Sequence, residues 1–300
     1  MLKIAYHPIY KHPLPSGHRF PMLKYELLPQ QLIHEGTCTA ANFFKPRPLK
    51  DKHILTTHTK AYYDDLVHLR LNAKAIRKLG FPLSHTLVRR EIIIAHGTVK
   101  ASIFALKHGI AMNIAGGTHH AFSNTGEAFC LLNDQAIAAN YLLLKKLAKR
   151  ILIVDLDVHQ GNGTAEIFKN NPNVFTFSMH GKGNYPFKKE QSDLDIALEN
   201  NTNDTTYLNI LNDTLQNLIH THRPDFIFYL CGVDVLATDK LGKLALTLEG
   251  CKARDKFVLQ TCKTREIPVM CAMGGGYSPE IKTIIEAHAN TFRLAQELFF

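Results

Sequence analysis

The sequence has no tryptophan and no long apolar run. No stretch approaches the roughly 18 consecutive apolar residues of a membrane-spanning helix, so a spanning segment is not expected. The first residues, MLKIAYHPIYKHPLP, lack the apolar core that a signal peptide would place before these prolines. These absences predict a protein with no membrane span that is kept in the cytoplasm.

Long basic runs are also missing, although the formal net charge is +9. We interpret the excess as general surface charge, because a nucleic-acid site would need a basic stripe with interleaved aromatic residues. None of the six cysteines lies in a C-x-x-C pair, so a structural zinc knuckle is not expected. The segment GGGY at 274–277 matches neither common glycine-rich phosphate motif, which argues against nucleotide binding.

Short apolar runs alternate with longer amphipathic stretches along nearly the whole chain, without repeats or linkers. This alternation predicts βαβ units and a parallel sheet, in one α/β domain over residues 1–300. The runs ILIVDLDV and FIFYL suit strands covered on both faces. Predicted strands cover 2–6, 110–115, 151–157, 174–179, 226–231 and 268–273. Predicted helices cover 60–79, 91–108, 134–149, 163–169, 205–222, 247–265 and 278–297.

Polar and glycine residues follow or end five of the predicted strands. Ligands of an open parallel sheet bind beyond the carboxyl ends of its strands, so we expect these residues to meet at one edge. They are GGTHH at 116–120, DLDVH at 155–159, His180, GVD at 232–234 and GGGY at 274–277. Their convergence predicts a functional site.

The segment DLDVH places two carboxylates and an imidazole close together, and a divalent metal would offset their charge. Asp157 and His159 supply one oxygen and one nitrogen, and Asp234 can supply a second oxygen from another strand end. Two Asp and one His with an open position are typical of catalytic zinc, and the donors also suit Fe(II), Co(II) or Mn(II). The alternative is a buried charge network or a set of helix-capping carboxylates.

His119 and His120 follow two glycines, which permit a tight turn. The pair can place two imidazoles beside a metal-activated water, each oriented by a partner on its other nitrogen. Asp155 is a candidate partner for one ring and Asn162 for the other. A carboxylate raises imidazole basicity more than a carboxamide does, so the two pKa values should differ. The alternative is a pair of loop histidines without a catalytic role.

Two aromatic residues complete the candidate site. Tyr277 ends a triple glycine, and such a flexible turn can bring a phenol over a metal, where it can donate to a developing oxyanion. Phe129 lies near the histidine pair in the sequence, and either packs in the core or lines a channel.

Taken together, these segments resemble the zinc-dependent histone deacetylase and acetylpolyamine amidohydrolase superfamily. The matching motifs are GGTHHAF (116–122), EAFCLLND (127–134), VDLDVHQGNG (154–163), SMH (178–180), CGVD (231–234) and GGGY (274–277). The amino-terminal YHPIY and HPLPSGHRFPMLKY, within 6–25, resemble class IV histone deacetylases and their bacterial relatives. The resemblance implies an arginase-like α/β fold with a mainly parallel eight-stranded sheet. It also implies hydrolysis of the amide of an acylated lysine-type amine.

The resemblance further implies a role for each matching residue. The implied zinc ligands are Asp157, His159 and Asp234. The implied acid–base pair is His119 and His120, which Asp155 and Asn162 orient. Tyr277 would polarise the substrate carbonyl, and the substrate tunnel would be lined by Phe129, Tyr185 and Gly275. A structural potassium ion is implied at backbone oxygens of Asp155, Asp157, His159 and Met179 with the side chains of Asp155 and Ser178, and a second near Phe168, Asn171 and Val174.

Three positions depart from the family pattern. Ala128 replaces the glycine usual before the tunnel phenylalanine, and its methyl group is expected to narrow the tunnel or shift its wall. Asn162 stands where class I members carry aspartate, and Gln160 stands where a second histidine is frequent. No catalytic group is lost, so we expect an active enzyme.

The substrate is left open between several classes. The expected partner is a protein or peptide with acyl-lysine, acetylated or carrying a longer acyl chain; an acetylpolyamine or other acylated small amine is the alternative. Gly161 and Leu236 stand where a binuclear manganese hydrolase would need further carboxylates, so one metal per chain is expected. A non-catalytic basic binding module is the alternative from a different class, and the oligomeric state is left open.

Overall fold

All named strands belong to one sheet, and every neighbouring pair in it is parallel. The computed structural model describes residues 1–300. The strands are β1 (Lys3–Ala5), β2 (Phe43–Phe44), β3 (Ile110–Asn113), β4 (Ile151–Asp155), β5 (Val174–Gly181), β6 (Leu194–Leu198), β7 (Phe226–Leu230) and β8 (Val269–Ala272). Their order across the sheet is β2-β1-β3-β8-β7-β4-β5-β6. The predicted single-domain α/β fold with an eight-stranded parallel sheet is confirmed.

The central strands are continuous apolar runs because both of their faces are covered. Every residue of β4 and of β7 is buried. Sequence reasoning missed β2 and β6, which lie at the two edges of the sheet. The first has only two residues, and the second, LDIAL, is mostly half-buried or exposed, so neither shows the apolar run of a central strand.

Ten helices flank the sheet or join its strands. They are α1 (Lys24–His34), α2 (Asp51–Ile54), α3 (Lys60–Val67), α4 (Ala73–Leu79), α5 (His85–His108), α6 (Asp134–Leu144), α7 (Asn162–Phe168), α8 (Asp204–His222), α9 (Leu248–Thr264) and α10 (Ile281–Phe299). The long α5 packs against β1, β3, β8 and α6, while α10 packs against α1 and α9. None of the helices has the length and apolar character needed to cross a bilayer.

Several predicted helix boundaries were wrong for local reasons. The predicted helix 60–79 is two helices, because Leu69 has a φ of 56° and Asn72 caps α4 by accepting from the Ala75 N–H at 2.9 Å. The predicted helix 91–108 begins earlier, at His85, because the Ser84 hydroxyl accepts from the Leu87 N–H. Sequence reasoning missed α1, which contains Pro29.

Candidate active site

The loops after β3 and β8 lie against each other at the carboxyl edge of the sheet. A Cβ atom at Gly117, whose φ is 75°, would lie 2.8 Å from the backbone of Gly274, so only glycine permits this approach. The Thr118 N–H donates to Asp134 Oδ1 at 2.9 Å, which anchors the loop to the start of α6. The sequence-predicted histidine pair therefore follows a tightly held turn.

Asp157, His159 and Asp234 form a buried cluster just beyond β4 and its neighbour β7. The Nδ1 atom of His159 lies 3.1 Å from Asp157 Oδ1 and 3.1 Å from Asp234 Oδ2. One donor atom from each residue lies within 4.8 Å of the others, as a shared metal ion requires. The prediction that β4 extends to 157 was wrong: the strand ends at Asp155, and the loop that follows carries Asp157 and His159.

The electrostatics of this cluster fit a cation. Burial and the neighbouring Asp157 raise the pKa of Asp234 to about 7. Burial lowers the pKa of His159, but hydrogen bonds to Asp157 and Asp234 outweigh it and raise that pKa to about 10. Without a metal, the two carboxylates thus hold a proton on the ring nitrogen. A divalent ion on these three donors would supply the positive charge instead, and the oxygen and nitrogen donor set suits zinc.

The two histidines have unlike partners, as the sequence predicted. His119 Nδ1 lies 2.7 Å from Asp155 Oδ2, and His120 Nδ1 lies 2.7 Å from Asn162 Oδ1. Burial lowers the pKa of His119, but the Asp155 and Asp157 carboxylates outweigh it and raise the pKa. Burial and the neighbouring His119 and His159 lower the pKa of His120 well below its ordinary value. The structure therefore pairs a basic imidazole with one held neutral.

The three aromatic site residues predicted from the sequence meet in a cavity of about 470 Å³ above this cluster. Phe129, Tyr185 and Tyr277 line it together with His120 and His159. The Tyr185 ring packs edge-on against His120, with the ring centroids 5.1 Å apart. The cavity therefore has aromatic walls and the histidines at its inner end.

Gly275 does not line this cavity but a smaller one next to it, where it lies between the carboxylates of Asp157 and Asp234. A Cβ atom there would lie 2.0 Å from Asp234 Oδ2, so the position requires glycine. Its backbone N–H donates to Asp157 Oδ2 at 2.8 Å. The predicted Gly275 thus contacts the candidate metal ligands directly.

The backbone conformation of the Ala128–Phe129 turn explains why the family pattern favours glycine at position 128. Ala128 has a φ of 47° and Phe129 a φ of 69°, in the left-handed region that glycine adopts most easily. Backbone hydrogen bonds from these two residues to Lys78 and Leu79 hold the turn. Ala128 is one of the residues that line the cavity.

Sequence reasoning missed two buried charged residues beside the site. Glu127 accepts a hydrogen bond from Asn162 Nδ2 at 2.6 Å and pairs with Lys78. Lys24 is fully buried and donates to the Gly274 carbonyl at 3.1 Å. Glu127 lies within the EAFC motif, but nothing in that motif reveals its partner 35 residues away.

The implied potassium positions lie on β4 and the loop after it, on β5, and from the end of α7 to the start of β5. Asp155 and Ser178 are register partners on neighbouring strands, and Met179 follows in β5. The carbonyls of Phe168 and Asn171 accept from the N–H groups of Asn171 and Val174. Both potassium sites stay predictions.

The chain is similar to known proteins over most of its length. The family described as "Histone deacetylase domain" matches residues 18–292. An uncharacterized protein of Picosynechococcus sp. is 43% identical over 296 residues, with 99% of each chain covered. Histone deacetylase 2 of Arabidopsis thaliana is 26% identical over 278 residues, covering 89% of this chain and 72% of the relative.

Solved structures show the same similarity. A histone deacetylase homologue in complex with SAHA superposes with a TM-score of 0.83 at 25% identity, covering 99% of this chain and 83% of the other. A homologue from Aquifex aeolicus superposes with a TM-score of 0.82, also at 25% identity, covering 97% of this chain and 82% of the other.

Proposed function

The chain belongs to the histone deacetylase family of hydrolases, and from this premise we propose that it is a zinc-dependent deacylase acting on acyl-lysine in proteins or peptides. One observation carries the proposal: Asp157, His159 and Asp234 lie beside two histidines with unlike partners at the inner end of an aromatic cavity. The arrangement brings together metal donors, an acid–base pair and a substrate channel.

Asp157, His159 and Asp234 would hold the metal ion. When bound there, zinc supplies Lewis acidity, which polarises an amide carbonyl and makes water a stronger acid. His120 is kept neutral by burial and accepts a proton from the attacking water through the nitrogen that does not face Asn162. A protonated histidine of the pair then donates to the leaving amine. Tyr277 donates its phenol proton in a hydrogen bond to the oxygen that becomes negative.

The charges at the cavity mouth favour acyl-lysine peptides over polyamines. Arg19, Lys78 and Lys243 line the mouth, and no carboxylate does. Lys78 is paired with the buried Glu127, whereas Arg19 lies over the Phe129 ring with its guanidinium carbon 5.0 Å from the ring centroid. An acetylpolyamine keeps further positive charges near its acyl group, and like charges at a cavity mouth lower its local concentration.

A substrate panel tests the proposal. Zinc-loaded enzyme is assayed on a peptide with acetyl-lysine, a peptide with long-chain acyl-lysine and an acetylated polyamine. We expect turnover of at least one peptide at a higher kcat/KM than the polyamine. A preference for the polyamine would favour the small-amine alternative, and no turnover of any member by zinc-loaded protein would contradict the deacylase proposal.

Four finer assignments stay predictions alongside this function: the class IV kinship, a cytoplasmic location, the structural potassium sites and the bounds 1–300 of the catalytic domain. The length of the acyl chain also stays open, and the panel above separates the acetyl substrate from the long-chain substrate.

A further inference from the structure

Glu127 is buried beside the histidine pair. Its Oε1 atom accepts from Asn162 Nδ2 at 2.6 Å, and the Asn162 Oδ1 atom lies 2.7 Å from His120 Nδ1. The other carboxylate oxygen, Oε2, pairs with the half-exposed Lys78 ammonium group. A continuous chain of polar contacts therefore runs from Lys78 at the mouth to His120 at the inner end.

The two ends of the Asn162 amide differ, one being an acceptor and the other a donor, and this difference fixes the direction of the hydrogen bonds in this series of contacts. An amide side chain can rotate to present either its oxygen or its NH2 group, and an imidazole can adapt to either one. An ionised carboxylate has no proton to donate, so Glu127 can only accept. The Asn162 NH2 group must therefore face Glu127, and its oxygen must face His120.

We propose that Glu127 is a positioning residue that fixes the tautomer of His120 through Asn162. With the Asn162 oxygen facing it, His120 carries its proton on Nδ1 and keeps a lone pair on Nε2, which can accept a proton. With the amide reversed, the NH2 group would donate to Nδ1, and the proton of neutral His120 would sit on Nε2. That tautomer has no lone pair on Nε2.

The local backbone holds Glu127 in place for this role. Glu127 and Cys130 exchange two backbone hydrogen bonds across the left-handed Ala128–Phe129 turn. The Lys78 carbonyl also accepts from the Ala128 N–H at 2.9 Å, so the residue that pairs with the carboxylate also anchors the turn. The Glu127 side chain is only 4% exposed, which excludes water from most of the contact with Asn162.

The first test reads the tautomer directly and does not depend on turnover. Zinc-loaded protein carrying 15N-labelled histidine is examined by NMR, and the His120 signals are assigned by their loss in His120→Asn. We expect a proton on Nδ1 in the parent protein and an altered tautomer population in Glu127→Ala. Glu166→Gln is the control, because Glu166 is also near this loop but accepts from Ser123. An unchanged tautomer in Glu127→Ala would overturn the proposal.

A double-variant cycle provides the second test, which rests on the proposed function because it measures turnover. We expect Glu127→Ala to lower kcat about 10- to 100-fold with little change in KM, as for other residues that orient a catalytic group. Asn162→Asp would place two carboxylates together and should also lower kcat. In the double variant Glu127→Gln with Asn162→Asp, the new amide can donate to the new carboxylate, whose second oxygen accepts from His120.

The double variant should therefore be more active than Asn162→Asp alone. Equal or lower activity would contradict the positioning role, since a purely structural contribution of Glu127 predicts no rescue. If the parent enzyme turned over none of the substrates, the proposed function would be contradicted. The NMR measurement would then decide separately whether Glu127 sets the tautomer of His120.

Discussion

The backbone N–H of Gly275 donates to Asp157 Oδ2 at 2.8 Å. This contact fastens the glycine segment that carries Tyr277 to a carboxylate of the candidate metal site. The Tyr277 N–H in turn donates to Asp239 Oδ2 at 2.6 Å, so both ends of the segment are held by aspartates. The phenol and the metal donors are thus positioned by the same short piece of backbone.

Gly275→Ala should disrupt zinc binding. The new Cβ atom would lie 2.0 Å from Asp234 Oδ2, so the carboxylate or the loop must move. We expect zinc affinity to fall at least about tenfold, measured by competition with a chromogenic chelator. Gly36→Ala is the control for the loss of a glycine: Gly36 has a positive φ, which Gly275 does not, but its Cβ would meet nothing within 4 Å. Equal zinc affinity in the two variants would contradict this account of Gly275.

Tyr277→Phe should lose activity while keeping the fold and the metal. The substitution removes one donor to the developing oxyanion, which typically lowers kcat by about 10²–10³-fold. Zinc content and the melting temperature should stay close to those of the parent, because no metal ligand is removed. Full kcat in this variant would show that Tyr277 is not the oxyanion donor.

Asp234→Asn should weaken zinc binding much more than its small change in shape suggests. The carboxylate is fully buried and faces the His159 ring, so its negative charge has no substitute at the site. Zinc per chain after dialysis, measured by elemental analysis, should fall well below one. The exposed Asp213→Asn provides a matched control. Retention of one zinc by Asp234→Asn would remove Asp234 from the ligand set.

Zinc binding should strengthen as the pH rises. In the metal-free protein the pKa of His159 is raised to about 10, so at pH 7 its ring must lose a proton before Nδ1 can bind a metal. Each proton released changes the apparent affinity by about tenfold per pH unit. Calorimetry in two buffers with different ionisation enthalpies should show proton release at pH 7. Proton uptake, or affinity independent of pH, would contradict a His159 ring that is protonated in the metal-free protein.

Charge reversal at the mouth should change substrate preference. Arg19→Glu with Lys243→Glu should raise kcat/KM for an acetylated polyamine relative to a neutral acetyl-lysine peptide, by about tenfold at low salt and less at high salt. The control is Lys107→Glu with Lys149→Glu, which makes the same charge change at two exposed residues just before β3 and β4, at the opposite edge of the sheet. If this control changes the substrate preference equally, the effect arises from the net charge of the protein and not from the charges at the cavity mouth.

The sequence was most informative where burial or chemistry leaves a local signature. The runs ILIVD and FIFYL identified β4 and β7 because both faces of these strands are covered. The strand-end residues Asp157, His159 and Asp234 were predicted to meet because parallel strands end at one edge, and they do so. The edge strand β6 could not be predicted in this way, because its residues are mostly half-exposed and form no apolar run.

Contacts between distant segments could not be predicted in this way. Glu127 reaches Asn162, and Lys24 reaches Gly274, which is 250 residues away in the sequence. Such pairings depend on how loops from different strands fold over one another. The sequence predicted Asp155 and Asn162 as the two partners of the histidine pair, but only the structure shows that Asp155 faces His119 and Asn162 faces His120.

The most direct test of the account is a zinc titration of chelator-treated enzyme on its best peptide substrate. We predict that turnover disappears with the chelator and returns linearly until one zinc per chain is bound, with no recovery in Asp234→Asn. Turnover that survives complete removal of metal, or full recovery in Asp234→Asn, would contradict the assignment of Asp157, His159 and Asp234 as the catalytic metal site.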